Sequence, residues 1–414
     1  MLLLSAEPQN YGPRKLMFEH RGGFAVRVLF VTSRLSPWVI GGTAEFEGNL
    51  VKYLSRLSGV SLTLLGTCPP GVAVGDYYPK SVKVMAVPIK RYYSAIDVVT
   101  SSLVFPLSAH KQRFDIVHFN VLPGLRGGTL ALDLIFGRRK PRLVVNLHGH
   151  KSEILAYTNS LSGKLASSIH WNVSEFILHR FDAVVVASSH MSSHAKTLGL
   201  PSRLVRQIPY GVDDDLVHRN ASKIGNTILC YGHLNYIKGQ DLLIRAFAKS
   251  TARRAYRLKI IGSGNPSYRR ELNRLIKDFG LDSCITIVDE IDHKQLMNEV
   301  AAAPVCVFPS RQEGFNIGAL EAMALRATVI ASRNGGPVDY IRHGVNGFLV
   351  NPNDTSKMAS LLDKACNDDS LRNRIGAEAR ITADGYRWSK VAERYLALYE
   401  SLLQKPTGYT QSQD

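Results

Sequence analysis

The sequence predicts an α/β protein of two αβα units, each a doubly wound parallel sheet, facing one another across a cleft. Three observations predict it. Short apolar, β-branched runs alternate with helix-period stretches along most of the chain, as a parallel sheet covered by helices requires. The alternation is broken once, by a turn-rich acidic segment, and then restarts. With 414 residues, the chain is long enough for two or three domains of ordinary size.

Residues 26–32 are β-rich and almost continuously apolar, as a strand buried on both faces should be. A loop with Pro37, Gly41 and Gly42 follows, and then Ala44, Leu50, Val51, Leu54 and Leu57 recur at helical spacing. Further strands are predicted at 61–65, 116–119, 143–147 and 183–187, each followed by turn residues and a helical stretch. The segment Ile208-Pro209-Tyr210-Gly211-Val212-Asp213-Asp214-Asp215 reads as a linker. Strands then resume at 227–231, 258–261, 285–288, 305–308 and 328–331. From Trp388 to Leu403, Val391, Tyr395, Leu398, Tyr399 and Leu402 share one helical face, so this helix must pack on something. The expected division is an extension over 1–25, a first αβα domain over 26–208 and a second over 209–385. A helix over 386–404 packs back toward the first domain, and 405–414 form a loose polar tail.

Composition narrows the class. Hydrophobic residues make up 45% and charged residues 21%, which excludes a disordered tail, a collagen-like repeat and a coiled coil. No uncharged apolar run approaches the roughly 18 residues of a membrane-spanning helix. Met1-Leu2-Leu3-Leu4 is followed at once by Glu7, Pro8 and Gln9, unlike a secretory leader. Cys68, Cys230, Cys284, Cys306 and Cys366 are odd in number and far apart, so they read as thiols in a reducing compartment. The sequons at Asn172, Asn220 and Asn353 are then chance matches, and a cytoplasmic location is expected.

The formal net charge is +17, from 51 Lys and Arg against 34 Asp and Glu. Residues 1–208 carry 24 basic and 11 acidic side chains, an excess of +13, whereas 209–414 carry 27 and 23. Lys90-Arg91 beside Tyr92-Tyr93, and Arg138-Arg139-Lys140 with Arg142, contribute to the excess. It fits a solvated basic surface, an anionic membrane surface, or a polyanion such as nucleic acid.

The chemistry concentrates in Phe308-Pro309-Ser310-Arg311-Gln312-Glu313-Gly314-Phe315-Asn316-Ile317-Gly318-Ala319-Leu320-Glu321. A strand ends at Phe308, a loop carries Glu313 and Gly314, and a helix starts near Ile317. A helix N-terminus presents free N–H groups and partial positive charge to a phosphate. Glu321, one turn inside, can accept hydrogen bonds from vicinal hydroxyls such as those of a ribose, and Glu313 can bind further hydroxyls.

Glu313 and Glu321 match the E-x7-E element of the family-4-type retaining glycosyltransferases of GT-B fold, and other stretches resemble that family in the same order. Gly41-Gly42 with Ala44 and Glu45 resembles its glycine loop, and Leu147-His148-Gly149 its sugar-contacting histidine strand. Residues 208–213 resemble its interdomain segment, and Tyr231-Gly232-His233-Leu234 through Lys238-Gly239 its diphosphate loop. Asn334-Gly335-Gly336-Pro337, Gly344 and Gly347-Phe348-Leu349-Val350 resemble its closing motif. The likeness runs from about residue 26 to 403 and is looser in the first half.

The resemblance implies two Rossmann-like domains, the first (26–208) on the acceptor side and the second (209–385) binding a nucleotide-diphosphate sugar, such as a UDP- or GDP-sugar, as donor. It implies that Glu313 holds the donor sugar, Glu321 the ribose, and Lys238 the leaving diphosphate together with the N–H groups of Gly41 and Gly42. His148 would touch the transferred sugar, and the backbone of Gly314, Phe315 and Asn316 would line its pocket. Gly262, Ser263, Gly264 and residues 288–290, with Glu290, would edge the nucleobase. No metal or other cofactor is expected. Two departures stand out: His233 where the family has Arg, and Arg326 with Thr328 where it has Gly and Pro. A histidine is a weaker, pH-dependent partner for phosphate; Arg326 is either a surface replacement or a displaced cation.

Other features have plainer explanations. His118 packs at a strand end or else lines the acceptor side, His190 and His194 have helical metal spacing but no third ligand, Asp213–Asp215 belong to the linker, and Asp182 tethers the start of a strand. The expected activity is hexosyl transfer with retention to a glycan or lipid-linked glycan, with peripheral membrane contact. The alternatives are glucosylation of DNA and an inactive nucleotide-sugar-binding protein.

Overall fold

The computed structural model describes residues 25–32, 35, 42–89, 113–122, 125–136, 141–149, 171–172, 174–221, 223 and 225–404. Gly41, Lys90 to Tyr93, residues 98–107, Arg138 to Lys140 and the tail beyond 404 lie outside them.

The first half forms a seven-stranded parallel sheet in the order β3-β2-β1-β4-β5-β6-β7. Its strands are β1 (Val26–Val31), β2 (Val60–Cys68), β3 (Lys83–Pro88), β4 (Ile116–Phe119), β5 (Arg142–Leu147), β6 (Ala183–Val186) and β7 (Val205–Gln207). β4 and β6 are buried throughout; β6 is unbroken in apolar character, and β4 is interrupted only by the buried His118. The helices described around this sheet are α1 (Gly42–Leu54), α2 (Leu125–Phe136) and α3 (Ser189–Thr197). Ser188 caps α3 by accepting a hydrogen bond from Met191 N.

The second half forms a six-stranded parallel sheet in the order β10-β9-β8-β11-β12-β13. It comprises β8 (Thr227–Tyr231), β9 (Arg257–Ile261), β10 (Ile285–Val288), β11 (Val305–Phe308), β12 (Thr328–Ser332) and β13 (Phe348–Val350). Its helices are α4 (Asp214–His218), α5 (Gln240–Lys249), α6 (Pro266–Asp278), α7 (His293–Ala302), α8 (Ile317–Ala324), α9 (Thr355–Asn367) and α10 (Asp369–Asp384). Each sheet runs outward from its first strand and then reverses to the other side. The chain therefore opens a crevice at the carboxyl ends of β1 and β4, and another at those of β8 and β11.

Two chain crossings join the halves, and they are hydrogen-bonded to each other. Val212 N donates to Tyr386 O at 2.9 Å, and Trp388 N donates to Val212 O at 3.0 Å. Gly211 lies flat against Trp388, where a Cβ would stand 2.5 Å from the indole, so the crossing has no room for a side chain. The final helix, α11 (Trp388–Gln404), returns to the first half. Its buried face of Trp388, Val391, Tyr395, Leu398, Tyr399 and Leu402 shares a core with Phe30, Phe46 and Leu50. His118 is fully buried within this packing, its Nδ1 2.6 Å from Tyr399 Oη. Asp182 pairs with Arg142 at 2.9 Å and accepts from Leu143 N, which ties β5 to the start of β6. Asp213 caps α4 and forms an ion pair with Lys52 of α1 at 3.0 Å.

Cys68, Cys230, Cys306 and Cys366 are buried free thiols, and Cys284 is a partly buried one. Among the described residues, no helix is long and apolar enough to cross a membrane.

Candidate active site

The two crevices face one another across a cleft of about 1110 Å³. From the second half the cleft takes the end of β8, the turn after it, the end of β9, the start of α7, and the loop joining β11 to α8. From the first half it takes α1, the end of β5 and the crossing at 210–213.

The loop between β11 and α8 is shaped from below. Gly335 adopts φ +136°, and a Cβ there would lie 1.9 Å from Glu313 O; at Gly336 one would lie 2.4 Å from Phe315 Cα. Only a glycine pair lets the 313–316 backbone settle on this support. Asn316 then takes φ 74° and caps α8 by accepting from Ala319 N. Phe315 points down into the core against Tyr210 and Tyr340, so it is the backbone of 314–316 that faces the cleft. Tyr340 Oη donates to Phe315 O at 3.0 Å and to Asn316 O at 2.9 Å, fixing the loop from behind.

Glu313 is 8% exposed and receives Lys238 Nζ at 2.7 Å and Ser310 Oγ at 3.0 Å. Lys238 ends a single helical turn, Tyr236–Lys238, capped by Asn235. Arg311 holds that turn: its guanidinium grips both oxygens of Asp241 at 2.8 and 2.7 Å, donates to Tyr236 O and lies 3.7 Å over the Tyr236 ring. The E-x7-E loop and the lysine loop are thus one unit. His233 lines the cleft on the same side, and burial together with the Lys238 charge lowers its pKa below the ordinary 6.5.

Glu321 is 5% exposed and meets His293 Nε2 at 2.8 Å. The same nitrogen lies 3.5 Å from Glu45 of α1, so three side chains close over the cleft from both halves. The Glu321 hydrogen bond and charge hold His293 above its ordinary pKa. Burial, with the Glu321 charge beside it, holds Glu45 well above the carboxylate range. His293 Nε2 thus faces both carboxylates, one from each half of the chain. Their ligand atoms also lie within 4.8 Å of one another, so Glu45, His293 and Glu321 are the group that could hold a cation among the described residues.

A second relay orients His148. Glu47 is buried and accepts from Thr32 Oγ1, Tyr78 Oη at 3.1 Å and Asn120 Nδ2 at 3.1 Å. Asn120 Oδ1 is thereby left to accept from His148 Nε2 at 3.1 Å. The proton sits on Nε2, and Nδ1 accepts from Tyr210 Oη at 2.5 Å. Burial drives His148 down to about 4 and Glu47 up to about 7, so His148 is neutral at ordinary pH.

Of the residues singled out by sequence, His148, His233, Lys238, Gly262, Glu290, Glu313, Gly314, Phe315, Asn316 and Glu321 all line this cleft. Glu290 accepts from Ser263 Oγ at 2.7 Å. Gly264 stands one step back, bridged to Leu234 behind the cleft wall. Gly42 opens α1, and Gly41 is outside the described residues. Arg326 is exposed at the end of α8, and Thr328 is buried in β12. His293, Asn120, Glu47 and the clamp role of Arg311 had no sequence signal, because each depends on elements far apart in the chain.

Comparison with known proteins agrees with this architecture. The family model described as Glycosyltransferase Family 4 matches residues 40–216, and that described as Glycosyl transferases group 1 matches residues 215–382. Together they run without a gap from residue 40 to 382, across every described strand but β1. The chain belongs to the family-4-type glycosyltransferases of GT-B fold. A D-inositol 3-phosphate glycosyltransferase of Catenulispora acidiphila is 31% identical over 189 residues, covering 44% of this chain and 45% of that protein. An uncharacterised glycosyltransferase of Methanocaldococcus jannaschii is 33% identical over 174 residues, covering 42% and 44%. The chain thus spans about half the length of the curated relatives it matches. Among solved structures, sucrose-phosphate synthase from Thermosynechococcus elongatus superposes with a TM-score of 0.75 at 21% identity, covering 91% of this chain and 99% of that one. HepE of Anabaena in complex with UDP gives 0.70 at 20%, covering 91% and 100%. These similarities establish the GT-B fold.

Proposed function

We propose that the cleft binds a nucleotide-diphosphate sugar and transfers its sugar, with retention of anomeric configuration, to an acceptor hydroxyl. The observation that carries this is the joining of Lys238 to Glu313 at 2.7 Å, with Glu321 one turn into the helix beyond. The diphosphate would lie at the N-terminus of α8 and against Lys238, where positive charge meets the charge that develops as it departs. Glu313 would hold sugar hydroxyls. Glu321 would exchange His293 for the two ribose hydroxyls, and Ser263 and Glu290 would border the base. Neutral His148 would serve by position and by hydrogen-bond acceptance, since it has no charge to give at ordinary pH. The acceptor hydroxyl would attack from the face the diphosphate leaves, and a departing phosphate oxygen would take its proton. Closure of the two halves would keep water from the donor.

A UDP-sugar is the favoured donor, because HepE of Anabaena was solved with UDP and with UDP-glucose. The acceptor is read as a glycan or lipid-linked glycan, with the basic first half resting on an anionic membrane. Positive charge on the diphosphate is assigned to Lys238 and the helix N-terminus, with no metal required by the scheme. The test is to screen UDP, GDP, ADP and their sugars by thermal shift, since a ligand of the folded state raises the midpoint. Anomeric NMR of the product of any productive donor then follows. A raised midpoint, released nucleoside diphosphate and a product of the donor's own configuration support the proposal. Binding without release with any acceptor would favour an inactive sugar-nucleotide binder, and an inverted product would overturn retention.

A further inference from the structure

Glu45, His293 and Glu321 reach one point from three elements and from both halves of the chain: α1, the start of α7, and one turn inside α8. His293 Nε2 lies 2.8 Å from Glu321 Oε1 and 3.5 Å from Glu45 Oε1, and the three donor atoms all fall within 4.8 Å of one another. Asp213, itself paired with Lys52 at 3.0 Å, acts on both Glu45 and His293 as a further negative charge.

These three side chains have the chemistry of a divalent-metal site. Two carboxylates and a neutral imidazole carry two negative charges, which one divalent cation cancels. An imidazole beside two carboxylates suits Zn²⁺, whereas Ca²⁺ and Mg²⁺ take about six or more oxygens. Donor atoms about 2.0–2.2 Å from a tetrahedral Zn²⁺ stand roughly 3.3–3.6 Å from one another. The 3.5 Å edge already has that length, and the 2.8 Å edge has only to widen as the proton between Nε2 and Glu321 leaves. The half-exposed His293 side chain gives an ion a way in from the cleft, and the buried Glu321 anchors it.

We propose that Glu45, His293 and Glu321 bind one Zn²⁺, and that this ion competes with the nucleotide donor. It ties α1 to the second half and takes the Glu321 oxygen assigned to the ribose, so the loaded chain is held shut without donor. On binding, His293 Nε2 gives up its proton to solvent and its lone pair to the metal. One oxygen from each glutamate and a water complete four ligands. The ion site stands on the geometry, and its competition with nucleotide rests on the ribose role proposed for Glu321.

The test uses the full chain stripped of metal with EDTA. Calorimetric titration with zinc chloride, without nucleotide, should show one Zn²⁺ per chain whose binding weakens at least tenfold, roughly, in Glu45→Gln and in His293→Gln. Zinc should raise the thermal midpoint of the wild type and not that of either variant, both measured also in EDTA to show that they fold. In free zinc at about ten times its dissociation constant, wild-type affinity for UDP should fall roughly tenfold. Glu45→Gln in the same zinc should lose no more than about twofold, which accounts for metal carried by the diphosphate itself. Mg²⁺ at that concentration should leave UDP affinity unchanged. No zinc bound by the wild type, undiminished zinc binding in either variant, or an equal loss of UDP affinity in Glu45→Gln would each overturn the proposal. Zinc held by these residues with no effect on UDP would overturn the competition. A chain that binds zinc through them but binds no nucleotide in EDTA would uphold the ion site and sink the donor reading instead.

Discussion

Replacing Lys238 separates its charge from its structural contact. Its Nζ is 2.7 Å from Glu313 Oε2, with the lysine side chain 30% exposed and the glutamate 10%. Removing one partner of a buried pair costs about 3–5 kcal/mol, and the partial exposure of Lys238 brings this toward about 2 kcal/mol. Ser310 Oγ remains as one donor to Glu313, which lessens the loss further. Lys238→Ala should therefore lower stability measurably while leaving a folded chain. The catalytic loss is separate. Removing a donor aimed at developing charge costs roughly 10²–10³ in turnover, or about 3–4 kcal/mol. Lys238→Gln keeps a hydrogen bond to Glu313 without the charge, so it should recover much of the stability and little of the rate. The assay is turnover at saturating UDP-sugar, paired with thermal midpoints for wild type, Lys238→Ala and Lys238→Gln. If Lys238→Gln turns over within about threefold of wild type, the charge is not stabilising the leaving group and the assignment fails.

His233 sits beside Lys238 with its pKa below 6.5, so its positive charge is gained only as the pH falls below that value. Turnover limited by diphosphate charge should rise as the pH falls below 6.5, and His233→Arg should flatten that rise; an unaltered profile would place His233 away from the phosphates. His293 and Glu45 both bind protons more tightly in the folded state, from their ordinary 6.5 and 4.5. Stability from such raised groups is complete below the unfolded values and is lost as pH rises through the folded ones. The ligand-free thermal midpoint should accordingly lose the Glu45 contribution as pH rises above 4.5 and the His293 contribution above 6.5, and Glu45→Gln should make the decline shallower. The +13 excess of residues 1–208 should bring the chain down with anionic liposomes at low salt and not with neutral ones. Equal recovery on both would end the electrostatic membrane reading, and tight retention on duplex DNA in the same buffer would favour the polyanion alternative.

Much of the fold is legible because central parallel strands write themselves as unbroken apolar runs. The strands that sequence reasoning passes over are β3, β7 and β13, which close three of the four sheet edges. β3 is mostly exposed or half-buried, and β7 and β13 span only three residues each. An edge strand buries less and carries little pattern. The E-x7-E loop is legible for a local reason: Glu313, Gly314 and Glu321 sit on one strand–loop–helix unit. What surrounds it is not local. His293 reaches Glu321 from α7 and Glu45 from α1, and Glu47 acts on His148 through Asn120. Ser188 Oγ donates to Gly314 O at 2.6 Å, and Asp339 receives Ser189 N and Gln207 Nε2. Those contacts join the two halves, so no periodicity within either half announces them. The likeness to a family places the glutamates and the lysine; the residues that hold them become visible only in three dimensions.

Calorimetric titration of the full chain with UDP, GDP and ADP, repeated on Glu321→Ala, tests the donor cleft most directly. Glu321 is 5% exposed in the cleft wall, and its loss would leave ribose hydroxyls without their acceptor, about 1–3 kcal/mol or roughly 5- to 150-fold in affinity. The account predicts that one nucleoside diphosphate binds the wild-type chain with one-to-one stoichiometry, and that folded Glu321→Ala binds it weaker by that factor. A folded mutant with undiminished affinity, or a wild-type chain that binds none of the three, would contradict it.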